Sequence, residues 1–229
     1  MGEFIWANIK KEISKMRKYR IVDLSVKLHP GKEERRLETR LITFKHTEKI
    51  MMELDTMTHV GTHVEAYLHL GKGGDDASQI LLDEVVGPAV YLKISNLKIK
   101  EEIHVAHLEK AGGGKKVQKG DIVLLGTDSF DHIDMADRPV LMTDAGKWLV
   151  NKGVKCVGYD THLLADIRGR KHEEQIHTIL MEEAKIPMIE ELTNLNQLRE
   201  ERFFFIGAPL KIEGLDSSPI RAIAIEGLI

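Results

Sequence analysis

Four short apolar runs constrain this chain more than any other feature: GPAVYLKI (87–94), DIVLLGT (121–127), VKCVGYD (154–160) and IPMIEEL (186–192). They are mostly rich in branched side chains and show little polar alternation, which suits strands buried on both faces. Helical segments fall between several of them. TDAGKWLVNKG (143–153) has Thr143 or Asp144 as N-cap and Gly153 as C-terminal stop, and HEEQIHTILMEEAK (172–185) is polar on one side with Ile176, Ile179 and Leu180 on the other. YRIVDLSVKL, LETRLITF and KIMMELDTM, split by HPGKEERR and KHTE, read as strands joined by polar turns. The tail returns to strands in FFFIGAPLKI and IRAIAIEG, across a turn at EGLDSSP. Ahead of all this, EFIWANIKKEISKMRK (3–18) sets Phe4, Ile5, Ile9, Ile13 and Met16 at mostly three- and four-residue steps, the stripe of an amphipathic helix. With no internal repeat or linker-like stretch, the expectation is an N-terminal helix over 1–18 and a single domain over 19–229.

Composition narrows the class. The 33 basic and 36 acidic residues give a formal net charge of -3, and 42% of the chain is apolar, which argues against intrinsic disorder and against a nucleic-acid partner. No apolar run approaches the roughly 20 residues of a membrane span, and Met1 to Arg20 lacks the apolar stretch and cleavage site of a secretory signal. A soluble, cytoplasmic protein without a membrane partner is expected. Cys156 is the only cysteine, so a metal must be held by histidines and carboxylates.

The histidines repay attention, because THVGTHVEAYLHL (58–70) places His59, His63, Glu65 and His69 within eleven positions. Divalent zinc, manganese or iron accepts imidazole nitrogen together with carboxylate oxygen, and catalytic sites use three such ligands with one position open. His59, His63 and Glu65 supply that set on an irregular loop after a strand. HEEQIH (172–177) has its histidines five apart, on different helix faces, so it is not a zincin helix. Elsewhere the ordinary readings prevail. His104 and His107 fit a solvated helix, Cys156 a packed thiol, and Lys115, Lys116 and Lys119 an exposed loop; Ser129 in GTDSFDH lacks the GxSxG elbow. His132, Asp160 and His162 stand at strand ends, where cleft residues collect.

The segment from His59 to His69 closely resembles the HxGTHxDxPxH signature of the cyclase family of metal-dependent hydrolases, which includes bacterial kynurenine formamidases and isatin hydrolases. IVDLS (21–25), VLLGTD (123–128), GYDT (158–161), His177 ahead of IPMIEELTNL, and APLKIEGLDSSPIRAIAI (208–225) resemble the family in the same order. The resemblance implies an α/β fold with a mixed, curved β-sheet or partly closed barrel and outer helices, of the swivelling β/β/α type. It implies His59, His63 and Glu65 as ligands of one divalent metal, and His177 and Glu190, with Glu191 as the alternative, completing a second position that Glu65 bridges. Zinc is the expected ion and manganese the alternative, in one or two copies. His69 matches the catalytic histidine. The implied reaction is hydrolysis of an amide, N-formylkynurenine to kynurenine and formate; the alternatives are opening of a cyclic amide or lactone, and a metal-binding member without catalysis. A small-molecule substrate and a homodimer or homotetramer are expected, with the N-terminal helix as a place for subunit contact. The chain departs from the signature at Glu65, where Asp is usual, and at Tyr67, where Pro is usual.

Overall fold

The computed structural model describes residues 19–43, 49–71, 73–127, 138–160 and 175–229; the helix expected within 1–18 lies outside them. The strands run, in chain order, β1 Arg20–Asp23, β2 Leu37–Thr43, β3 Ile50–Thr56, β4 His63–Glu65, β5 Val86–Lys93, β6 Glu102–Ile103, β7 Ile122–Gly126, β8 Val140–Leu141, β9 Cys156–Tyr159, β10 Met188–Glu190, β11 Arg202–Ile206, β12 Ser217–Pro219 and β13 Ile223–Glu226. Short helices α1 Leu82–Val85, α2 Val105–Lys110 and α3 Gly113–Lys116 and the longer α4 Thr143–Lys152 lie between them.

Nine strands form one mixed sheet in the order β1-β13-β11-β5-β7-β9-β10-β4-β12. The four apolar runs become its centre: β5, β7, β9 and β10 are adjacent and parallel, while the pairs outside them are antiparallel. Parallel strands need crossovers that cover their faces, so they are buried on both sides. β7 shows this directly. Ile122 and Leu124 enter one cluster with Cys156, Ile189, Phe203 and Phe205, and Val123 and Leu125 enter another with Val157, Leu149, Ile176 and Met188.

Curvature follows from how the first cluster is closed. Val22 from one end of the sheet and Val64 from near the other both belong to it. Beyond β1 the chain crosses the gap: Leu24 N–H donates to Ala222 O (2.9 Å), Thr193 N–H donates to Leu24 O (2.9 Å), and Val26 N–H donates to Thr62 Oγ1 (2.9 Å). Ser25 also bridges Leu192. The sheet is therefore a partly closed barrel around this cluster, with α2, α4 and a π-helical turn, Thr178–Glu183, against its outer face. Among the described residues β2 and β3 pair only with each other, as a ribbon whose Leu41, Ile50, Met52 and Leu54 share one exposed face.

Five expectations need correction. Of the metal-ligand set expected on an irregular loop, His63 and Glu65 lie on strand β4, held extended by pairing with β10 and β12 on its two sides. The 172–185 segment, described from Gln175, winds as a π-helix over 178–183, and Thr178, Ile179, Leu180 and Met181 are all buried. The one-sided stripe is widened because the turn packs against both α4 and the Tyr67–Leu70 turn. Gly146 permits the approach, since a Cβ there would lie 2.9 Å from Ile176 Cδ1. At the start of α4, Met142 is the cap residue, and neither Thr143 nor Asp144 caps this helix. Asp144 instead accepts from Val105 N–H (3.1 Å) and His104 Nδ1 (3.0 Å), serving the start of α2. Lys115 and Lys116 lie in the short helix α3 rather than a loop. The expected EGLDSSP turn is half strand, since Ser217–Pro219 is β12, whose Ser217 and Ser218 are fully buried beside β4. Among the described residues no helix is long and apolar enough to cross a membrane.

Candidate metal centre

β4 is flanked by β10 and β12, with Glu190 and Pro219 opposite His63, and Met188 and Ser217 opposite Glu65. Side chains alternate across a strand, so His63, Glu65 and Glu190 share one face while Val64 and Ile189 turn into the barrel cluster. His59 arrives from the tight turn before β4. Gly61 there has φ +57°, a left-handed backbone that glycine takes without strain. Thr62 pins the turn by donating to Glu191 O (2.6 Å). His69 lies on the 3-10 turn Tyr67–Leu70, and His177 stands at the entry to the π-helical turn.

These side chains converge on Glu65, whose side chain is 3% exposed. Its Oε1 lies 3.2 Å from His59 Nδ1, 3.9 Å from His63 Nε2 and 3.8 Å from His69 Nε2, and its Oε2 lies 3.1 Å from His177 Nε2. His59 Nδ1 and His63 Nε2 are 3.1 Å apart, and Glu190 Oε2 is 3.7 Å from His63 Nε2. Backbone and carboxylate partners choose which nitrogen faces inward. His63 Nδ1–H donates to Gly61 O (2.6 Å), leaving Nε2, and His59 Nε2–H donates to Asp216 Oδ2 (3.0 Å), leaving Nδ1.

The donor set fits a divalent cation. Two ligand atoms about 2.0–2.1 Å from a tetrahedral ion stand about 3.3 Å apart. His59 Nδ1, His63 Nε2 and Glu65 Oε1 form a triangle of 3.1, 3.2 and 3.9 Å. Two overlapping triads, His59, Glu65 and His69 and then His63, Glu65 and Glu190, each keep their ligand atoms within 4.8 Å. The electrostatics point the same way. Burial opposes ionisation of Glu65, but the neighbouring imidazoles of His177 and His59 outweigh it and hold its pKa well below the usual carboxylate range. Burial also opposes a charged His59, yet Glu65 and Asp216 raise its pKa, so the cavity favours positive charge. His63 is pushed the other way by burial and kept neutral, the form a metal binds.

The structure thus brings together His59, His63, Glu65, His69, His177 and Glu190. Glu191 takes a left-handed φ of 56° and offers its carbonyl to Thr62. Tyr67, in place of the usual Pro, donates its hydroxyl to Lys185 O (2.7 Å) and ties the motif to the end of the π-helical turn. Asp160 is occupied in clamping Thr127, accepting from its N–H (2.6 Å) and hydroxyl (2.9 Å). His104 is the residue before α2, and it and His107 face separate acids, Asp144 at 3.0 Å and Glu101 at 3.5 Å. Cys156 is wholly buried, and burial pushes its thiol pKa up. His132, His162 and Ser129 lie outside the described residues. Sequence reasoning missed Asp216, which gave no local signal beyond sitting in an apparent turn.

Fold and site together define a metal-dependent hydrolase with a histidine and carboxylate centre. The chain belongs to the cyclase family: the family model described as putative cyclase matches residues 22–165. A kynurenine formamidase of Erythrobacter litoralis is 31% identical over 171 residues, 74% of each chain. One of Salinibacter ruber is 28% identical over 167 residues, 72% of this chain and 75% of that one. Among solved structures, a potential metal-dependent hydrolase with cyclase activity superposes with a TM-score of 0.72 at 25% identity, covering 91% of this chain and 98% of its own. Isatin hydrolase A of Ralstonia solanacearum shares the fold with a TM-score of 0.75 at 23% identity, over 96% of this chain and 97% of its own.

Proposed function

We propose that the protein is a zinc-dependent arylformamidase that converts N-formylkynurenine, or a close aryl formamide, to the free amine and formate. The observation that carries this reading is one buried carboxylate, Glu65, facing four imidazoles, in a chain whose curated relatives include kynurenine formamidases. His59, His63 and Glu65 would hold one ion. Glu65 presents its second oxygen to His177, which supports a bridging role toward a second ion with His177 and Glu190. A divalent ion there supplies polarisation of the formyl carbonyl and brings the pKa of water toward neutrality.

The chain's own groups account for the rest. His69 is 36% exposed at the mouth of the site, with Nε2 turned inward toward Glu65 Oε1. That nitrogen is placed to give a proton to the departing aryl amine. The test is hydrolysis of an aryl formamide by zinc-loaded protein with metal analysis of the same preparation. Turnover that is lost on chelation and restored by zinc is the expected result. A loaded protein with no turnover leaves a metal-binding member without this activity.

Restoring the usual residue with Glu65→Asp shortens the carboxylate by one methylene without changing its charge. Because metal distances tolerate only about 0.2 Å, the substitution is expected to change metal stoichiometry or the preference among zinc, manganese and cobalt. Unchanged metal content and kinetics across the three ions would show that the longer side chain has no consequence. Assembly as a homodimer or homotetramer belongs to the same proposal and is supported by the exposed apolar face of the β2–β3 ribbon. Light scattering that returns a monomer removes it.

A further inference from the structure

Asp216 sits immediately before β12, 157 residues from His59 and 147 from His69 along the chain, yet its Oδ2 meets both. His59 Nε2–H donates to that oxygen at 3.0 Å and His69 Nδ1–H at 3.3 Å. A carboxylate oxygen has two lone pairs, so it can accept both at once. Its second oxygen accepts from Thr58 Oγ1 (2.8 Å), and its backbone carbonyl accepts from Ala66 N–H (3.0 Å), so the carboxylate is itself held from two sides.

We propose that Asp216 is the positioning residue that couples the metal ligand to the proton-transfer group, fixing the ring orientation and tautomer of His59 and His69 through one carboxylate oxygen. Acceptance from His59 Nε2–H leaves Nδ1 facing the cavity. Acceptance from His69 Nδ1–H leaves Nε2 as the nitrogen that moves a proton at the substrate. The His59 and His69 rings are tilted by 50° at 4.5 Å between centroids, so the shared oxygen also sets their mutual angle. This inference rests on the proton-transfer reading of His69 for its effect on rate; its effect on tautomers stands apart from that reading.

The experiment uses the full chain with Asp216→Asn and Asp216→Ala, each alone and with His69→Ala. Four quantities are read: zinc affinity, kcat, KM, and the imidazole nitrogen shifts of 15N-histidine-labelled protein with and without zinc. Zinc binding in both variants is expected to weaken by about 10- to 100-fold, and kcat at saturating zinc to fall by about the same factor with KM little changed. In the His69→Ala background, at saturating zinc, Asp216→Ala should lower kcat no further, because its effect on rate acts through His69 while its contact with His59 bears on zinc affinity. The 15N spectrum should lose the single Nδ1–H tautomer of His69. Should Asp216→Ala fail to fold, the near-isosteric Asn variant carries the test. An unchanged kcat at saturating zinc in a protein whose His69→Ala variant is impaired would overturn the proposal, as would additive losses or an unaltered His69 tautomer. If the wild-type protein turns over no aryl formamide, the functional reading fails, and zinc affinity with the 15N spectrum still decides the role of Asp216.

Discussion

His59→Ala and His63→Ala are each expected to leave the purified protein without its metal and without metal-dependent hydrolysis. Both imidazoles point one nitrogen at Glu65 Oε1 and lie 3.1 Å from each other, so removing either opens one side of the three-atom set. Loss of a partner that merely orients a ligand costs about 10- to 100-fold in metal affinity, and loss of the ligand itself should exceed that range. The two variants should differ in the metal-free state. His63 is fully buried and its removal leaves a cavity beside Glu190, whereas His59 is only partly buried, so His63→Ala should melt lower. Metal analysis, aryl formamide turnover and thermal melts on the same samples check each statement. Full metal content with full activity in both variants would end the reading of this cluster as a metal centre.

His69→Ala should behave differently, keeping its metal while losing about 10²- to 10⁴-fold in kcat, the usual contribution of a general acid or base. Two observations set the expectation. The side chain is 36% exposed at the rim, and its Nδ1 is engaged by Asp216 at 3.3 Å, so replacement leaves the buried triangle of His59, His63 and Glu65 intact. The competing outcome has a structural basis as well, since His69, His59 and Glu65 themselves form a triad with ligand atoms within 4.8 Å. Metal content and kcat measured together separate the two. A loss of metal in proportion to the loss of rate would make His69 a ligand, and an undiminished rate would remove it from the mechanism.

Much of this centre was legible because its signals are local. His59, His63, Glu65 and His69 fall within eleven positions, and the turn that aims the first two depends on Gly61, whose positive φ is itself a local requirement. The central strands were equally plain, because burial on both faces leaves an uninterrupted apolar run that needs no knowledge of the neighbours. Short-range pattern failed where a residue serves a distant element. Asp144 looked like the cap of its own helix and instead holds the start of α2.

The sequence by itself determined the doubly buried central strands, the close spacing of His59, His63, Glu65 and His69, and the exclusion of thiolate ligands, since each depends on residue type and near spacing. Only the tertiary structure decided which distant acids join the histidines and Glu65. Glu190 rather than Glu191 shares their face because the β4–β10 register sets it opposite His63, and the period of two turns its neighbour away. Asp216 enters because β12 pairs with β4 on the other edge and carries the preceding residue to Ala66, Thr58 and the two rings. Strand pairing over such separations is fixed by burial of the whole sheet, which leaves no trace in the few residues around either acid.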